Sequence, residues 1–271
     1  MPPNSWNNSG CAVGRLERRR RPARHSRVRN VRLTVAYDGT AYYGFQLQTG
    51  QPTIQAALEQ AIRQVTQESS RVSGAGRTDT GVHAVGQVVN FRTTSALPLD
   101  ELQRALNAVL PDDIAVSDIS EAPDDFHARF SARSREYRYT ILNRPVADPL
   151  VRHIVYHCAR PLDVTLMDAA CQYLVGRHDF ASFGSQTSAR GTTRRTVYRA
   201  GCRREGDYIL VDITADAFLA GMVRSIVGTL LEVGTGRLTP DDFQAILLAA
   251  DRRRSGPAAP ARGLCLTKVN Y

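Results

Sequence analysis

The stretch from Arg71 to Phe91, RVSGAGRTDTGVHAVGQVVNF, decides the fold. Valine-rich segments near Arg71 to Ala75 and from Val85 to Phe91 read as two strands. Between them runs Gly74-Ala75-Gly76-Arg77-Thr78-Asp79-Thr80-Gly81-Val82-His83-Ala84, a polar, glycine-rich segment that continues neither. Two strands in succession, inside a chain that otherwise alternates strand and helix, mark the middle of a split β-α-β unit.

Working outward completes that unit. Upstream lies a strand at Val31 to Tyr37, then a helix from about Ile54 with Thr53 as N-cap and Ile54, Ala57, Leu58, Ala61, Ile62 and Val65 as its apolar stripe. Downstream, a helix with Leu102, Ala105, Leu106 and Val109 inward runs into Pro111, and a strand follows at Ile114 to Ile119. The order is β-α-β-β-α-β. It recurs as a strand at Arg133 to Leu142, a helix with Leu166, Ala169, Ala170 and Tyr173 inward, and two strands joined around Glu205-Gly206-Asp207. A helix from about Ala217 to Val233 comes next. An extra helix led by Pro240-Asp241, with Phe243, Ile246 and Leu247 inward, precedes a last strand at Leu264 to Val269.

The expected fold is α+β: two tandem ferredoxin-like halves sharing a mixed, mainly antiparallel sheet with a central cleft. Residues 1–30 form a basic disordered tail, 31–120 the first half and 121–271 the second. Asp118 to Arg129 is the only connecting stretch, which favours a cleft at the junction.

Composition narrows the function. With 42% hydrophobic and 23% charged residues among 271, the chain suits an ordinary folded protein. No apolar run approaches the roughly 18 to 20 residues needed to cross a bilayer. Five scattered cysteines without a Cys-x-x-Cys pair argue against a disulfide framework or zinc ribbon and fit a reducing cytoplasm. Of the net charge of +9, residues 1–30 hold eight arginines against Glu17, giving +7. This tail suits no amphipathic transit helix; a disordered arm of this charge would attract phosphates.

The segment from Gly74 to Ala84 is where chemistry concentrates. A dinucleotide fingerprint would need Gly where Asp79 stands, and a P-loop would need Gly-Lys-Ser/Thr. Asp79-Thr80-Gly81 is the aspartic-protease tripeptide, but no second copy exists in the chain. The plainer alternative is an aspartate capping a turn. The strand from Arg133 puts Arg133, Arg135, Tyr137 and Tyr139 on one face, either an RNA-binding mixture of guanidinium and aromatic groups or half-buried tyrosines of an ordinary sheet. Arg224, in an apolar helix with Gly221 and Gly228 near it, calls for a carboxylate partner or solvation at the helix edge. His153 and His157 lie in strand-like sequence and make no zinc pair; His83 and His127 read as structural residues. No metal site is expected.

Six ordered segments resemble the tRNA pseudouridine synthase A family: Tyr37-Asp38-Gly39-Thr40, Tyr43-Gly44-Phe45-Gln46, Gly76 to Ala84, Asp125-Phe126-His127-Ala128-Arg129, Tyr137-Arg138-Tyr139 and Met222 to Gly228. The resemblance implies isomerisation of uridine to pseudouridine at positions 38, 39 and 40 of the tRNA anticodon stem-loop, without cofactor or metal, by a homodimer. It implies Asp79 as nucleophile, Tyr137 stacking on the target base, Arg224 pairing with Asp79 and Arg77 helping to extrude the base. The chemistry breaks the N1–C1′ bond, turns the uracil and joins C5 to C1′, so the base must leave its stack. The carboxylate either attacks C1′ or removes the C2′ proton to form a glycal. Ala220-Gly221 and the first thirty residues depart from the family pattern. A noncatalytic RNA-binding module of the same fold is the competing function.

Overall fold

The computed structural model describes residues 27–185 and 191–271, so most of the expected tail lies outside the described residues. Strand β1 (Arg29–Tyr37) turns Val31, Leu33, Val35 and Tyr37 into the core, following the period-two pattern. Thr53 caps α1 (Ile54–Thr66) by accepting from Ala56 N at 3.3 Å. Strands β2 (Ser73–Gly74) and β3 (His83–Thr93), helix α2 (Leu99–Val109) and strand β4 (Ile114–Ala122) complete the first β-α-β-β-α-β series.

The second series begins with β5 (Ser134–Leu142) and carries two short additions, β6 (Tyr156–His157) and β7 (Gly176–Asp179), around helix α3 (Val164–Gln172). Strands β8 (Arg194–Glu205) and β9 (Tyr208–Ala215) meet at Gly206, and helices α4 (Met222–Gly234) and α5 (Pro240–Ala249) lead to β10 (Leu264–Asn270). Thr239 and Asp242 form a capping box ahead of α5, with Pro240 in the first turn.

One mixed sheet joins everything, in the order β4-β1-β3-β10-β5-β9-β8-β7. Within the second series the order is fourth, first, third, second strand (β10-β5-β9-β8); the first series gives β4-β1-β3 with β2 beside β3. The same arrangement thus occurs twice, as expected for tandem ferredoxin-like halves. The halves meet where β10 pairs parallel to β3, Cys265 opposite His83 and Leu266 opposite Ala84, while most other pairs are antiparallel.

That junction explains the first correction. The strand expected at Arg71 to Ala75 shrinks to two residues, because β2 and β10 share one edge of β3: Gly74 lies opposite Val89, and β10 takes the stretch nearer His83. The chain between β2 and β3 is therefore freed from the sheet at the seam of the two halves. Gly86 permits the crossing, since a Cβ there would stand 2.2 Å from Thr267 O.

Two further corrections concern helices. The inward face of α3 is Met167, Ala170 and Cys171, whereas Leu166 and Ala169 are exposed. Packing against β8, α4 and α5 together turns the stripe away from the one expected. The helix expected from Ala217 starts at Met222, because Ala220 bridges Ser185 and Gly221 adopts φ +70°. Residues 217–221 form an irregular lead-in instead.

Candidate active site

The segment between β2 and β3 is held from three sides. Gln87 on β3, fully buried, donates Nε2 to Gly76 O at 2.7 Å. Tyr37 at the end of β1 shares a hydrogen bond of 2.9 Å with the Thr78 hydroxyl, and Phe45 N donates to Thr78 O at 3.1 Å. Burial pushes the Tyr37 phenol up to about 12, so it stays a hydroxyl near neutrality. Asp79 O accepts from Val82 N at 3.1 Å, closing a turn that needs the positive φ of Gly81, +75°. The backbone of Asp79 makes this turn, and its carboxylate is left to face elsewhere. His83 fastens the far end, its Nδ1 accepting from Gly39 N at 3.1 Å with Asp38 beside it.

The carboxylate faces Arg224. Nη1 of Arg224 lies 3.7 Å from Oδ2 of Asp79, an ion pair longer than a hydrogen bond. Its Nε donates to Ala259 O at 2.8 Å, so one edge of the guanidinium is fixed and the other presented to Asp79. The segment supplying Ala259 passes close against α4, since a Cβ on Gly228 would stand 1.8 Å from Pro257 O. Gly228 is a close-approach glycine, as its mid-helix position suggested. Gly221, by contrast, precedes the helix. The Asp79 side chain is 40% exposed, so the cleft is open to solvent around it.

Asp79 and Arg224 line a cavity of about 500 Å³, a size suited to a nucleotide. Tyr137 and Arg77 line it too, so all four expected residues share one site. Tyr137 is only 8% exposed and packs edge-on with Phe218, ring centroids 4.9 Å apart. Its hydroxyl approaches Gly76. Burial, with the charge of Asp79 nearby, raises the Tyr137 phenol above its ordinary range, keeping it protonated. Arg77 is exposed at the cavity. The walls carry six arginines and one carboxylate, a field that attracts a polyanion.

The mixed face expected on the strand from Arg133 proves to be mainly core. Tyr139 is fully buried and donates to Pro260 O at 2.8 Å. Arg135, 8% exposed, spends its guanidinium on main-chain carbonyls: Ala75 at 2.9 Å, Arg129 at 2.8 Å and Asp216 at 2.8 Å. These carbonyls come from three walls of the cavity. Sequence reasoning placed Arg135 on the right face and missed this bracing role; Phe218, beside Tyr137, it missed entirely.

Among the described residues, no helix is long and apolar enough to cross a membrane. A family model described as tRNA pseudouridine synthase matches residues 33–131 and 170–271. The chain is 45% identical over 244 residues to the tRNA pseudouridine synthase A of Thermoanaerobacter sp. (strain X514), a match covering 90% of this chain and 100% of that protein. Identity to the protein of that name from Caldicellulosiruptor bescii is 46% over 244 residues, with the same coverage. To that of Chloroflexus aurantiacus (strain J-10-fl) it is 49% over 251 residues, covering 90% of this chain and 89% of that one. Asp79 and Arg224 fall inside the two spans the family model matches, one in each, and on the extent of these matches the chain belongs to the tRNA pseudouridine synthase family, whose members are isomerases that convert uridine to pseudouridine.

Proposed function

We propose that this chain isomerises uridine to pseudouridine at positions 38, 39 and 40 of the tRNA anticodon stem-loop, with Asp79 as nucleophile. The observation that carries the proposal is the Asp79–Arg224 pair, set in a cavity whose other charged lining residues are arginines. The target uridine turns out of its stack into this cavity, helped by Arg77, and Tyr137 lies against the base. The N1–C1′ bond breaks, the uracil rotates, C5 joins C1′, and the proton leaving C5 is balanced by one gained at N1. Arg224 keeps a positive charge 3.7 Å from the Asp79 carboxylate. A detached base must not escape, and the buried Tyr137 with the half-buried Phe218 packed against it serve that need.

The two halves, 31–120 and 121–271, act in this reading as the two walls that close on the RNA. The working form is a homodimer in the cytoplasm, a setting that fits thiols of Cys158, Cys171, Cys202 and Cys265 left free.

The test is incubation with unmodified tRNA, followed by carbodiimide treatment and primer extension, beside Asp79→Asn. Pseudouridine at those positions that disappears with Asp79→Asn, while tRNA binding persists, is the expected result. Conversion by Asp79→Asn at the wild-type rate overturns the nucleophile. Binding by the wild type without conversion makes the protein an RNA-binding module.

A further inference from the structure

The turn from His127 to Ser131 also lines the cavity, through His127, Arg129 and Phe130. Phe130 is 75% exposed, the most exposed of the large aromatic side chains among the described residues. It is not a loose ring on a loose loop. Ser131 N donates to His127 O at 2.9 Å, His127 N to Ser131 Oγ at 3.1 Å, and Arg129 N to His127 Nδ1 at 3.1 Å. Ala128, fully buried, is fixed through Asn90 Oδ1 at 2.9 Å and the Tyr271 hydroxyl at 2.8 Å. The Phe130 ring is flanked by His127, ring centroids 4.4 Å apart, and by the Arg129 guanidinium, 5.6 Å from its centroid. A rigid turn thus holds an aromatic face in water at the edge of a cationic cavity.

We propose that Phe130, supported by His127, is a second stacking surface, for the unpaired base beside the uridine that enters the cavity, with Arg129 on that nucleotide's phosphate. The proposal rests on the reading of the cavity as a uridine site in RNA. Turning one base out leaves its neighbour without a stacking partner, and an aromatic face replaces that partner whatever the base. A guanidinium beside the ring suits a nucleotide, which brings a flat base and an anionic phosphate together. Because the turn is already ordered, little freedom is lost on binding. A protein partner would have to seat apolar groups among the cavity's arginines, so the charge favours RNA.

The test uses an anticodon stem-loop RNA with 2-aminopurine next to the target uridine. Its fluorescence is read on binding to Asp79→Asn, which holds the RNA without turnover, and KM and kcat are read in the Asp79 background. Phe130→Ala and Phe130→Leu are both expected to abolish the quenching and to raise KM about tenfold or more, the loss of one base–aromatic stack, with kcat changed less. Phe130→Trp is expected to restore both. The leucine variant keeps an apolar side chain, so the pair separates stacking from folding. Quenching and KM unchanged in Phe130→Ala would overturn the proposal, as would failure of tryptophan to restore them. So would a changed sedimentation coefficient with quenching intact, which would make the turn a contact between proteins. If wild-type protein forms no pseudouridine, the proposed function fails, and the quenching alone still decides whether Phe130 stacks on RNA.

Discussion

Arg135 donates both Nε and Nη2 to the carbonyl of Ala75, at 3.3 and 2.9 Å, from a strand on the other side of the seam between the halves. The same guanidinium reaches Arg129 O and Asp216 O, so one side chain ties the Asp79 loop, the Phe130 turn and the lead-in to α4. Burial lowers its pKa from the ordinary arginine value, yet arginine remains charged at any physiological pH. A buried cation satisfied by carbonyl dipoles, with no carboxylate hydrogen-bonded to it among the described residues, spares the site a second negative charge near Asp79.

Arg135→Lys is therefore expected to be far from conservative. An ammonium is a compact donor without the planar fork, so at least one buried carbonyl loses its partner. We expect a loss of about 2–4 kcal/mol in urea unfolding and a fall in pseudouridine formation larger than the stability loss explains. Wild-type stability in this variant would show that the bracing is incidental.

Gly228→Ala should destabilise as well, for a steric reason. The added methyl would meet Pro257 O at 1.8 Å, and the displaced segment carries the Ala259 carbonyl that fixes Arg224. Overpacking of this kind costs roughly 1–3 kcal/mol. Gly201→Ala is the control, because its nearest neighbour, Asp168 Oδ1, lies at an ordinary 3.5 Å. Melting temperatures of the two variants should separate clearly, with activity lost only in Gly228→Ala.

Most elements were legible because their side chains alternate or spiral: β1, α1 and α5 announce themselves by periodic apolar residues and by Thr53 and Pro240. The length of β2 was not legible, since it is set by β10, a strand from the far end of the chain. The start of α4 was obscured by Ala217-Phe218-Leu219-Ala220, good helix sequence that a bridge to Ser185 holds irregular. Asp79 and Arg224 stood out as charges among small residues. Arg135 did not, because its partners are backbone carbonyls from separate loops, and carbonyls leave no trace in sequence.

Stability on the acid side should depend on Asp212. Burial pushes its carboxyl up, but hydrogen bonds from Arg138, at 2.7 Å, and from Arg203 more than offset this and hold it below the usual carboxylate range. A carboxyl depressed in the fold contributes stability above its unfolded pKa, roughly 3.9, and the contribution is lost as pH falls through the folded value. Asp212→Asn should therefore lower the urea midpoint at pH of about 7 and approach the wild type as pH nears about 3. The side chain is 36% exposed, so the gap is modest. A gap that persists undiminished in acid would assign the effect to packing.

Arg224→Lys tests whether aim or charge matters at Asp79. Arginine reaches Ala259 O with Nε while presenting Nη1 to Asp79, two tasks set by one planar group. Lysine has a single nitrogen and must abandon one of them. The position is 26% exposed, so melting temperature should shift by no more than about 2 °C while kcat falls roughly 10- to 100-fold, the scale of a misplaced catalytic group. KM for tRNA should change little, because phosphate attraction from the other five arginines of the cavity remains. Arg224→Met, without charge, should fall further. Equal kcat in the lysine variant and the wild type would mean that a positive charge near Asp79 suffices, and that the hydrogen bond to Ala259 serves the fold alone.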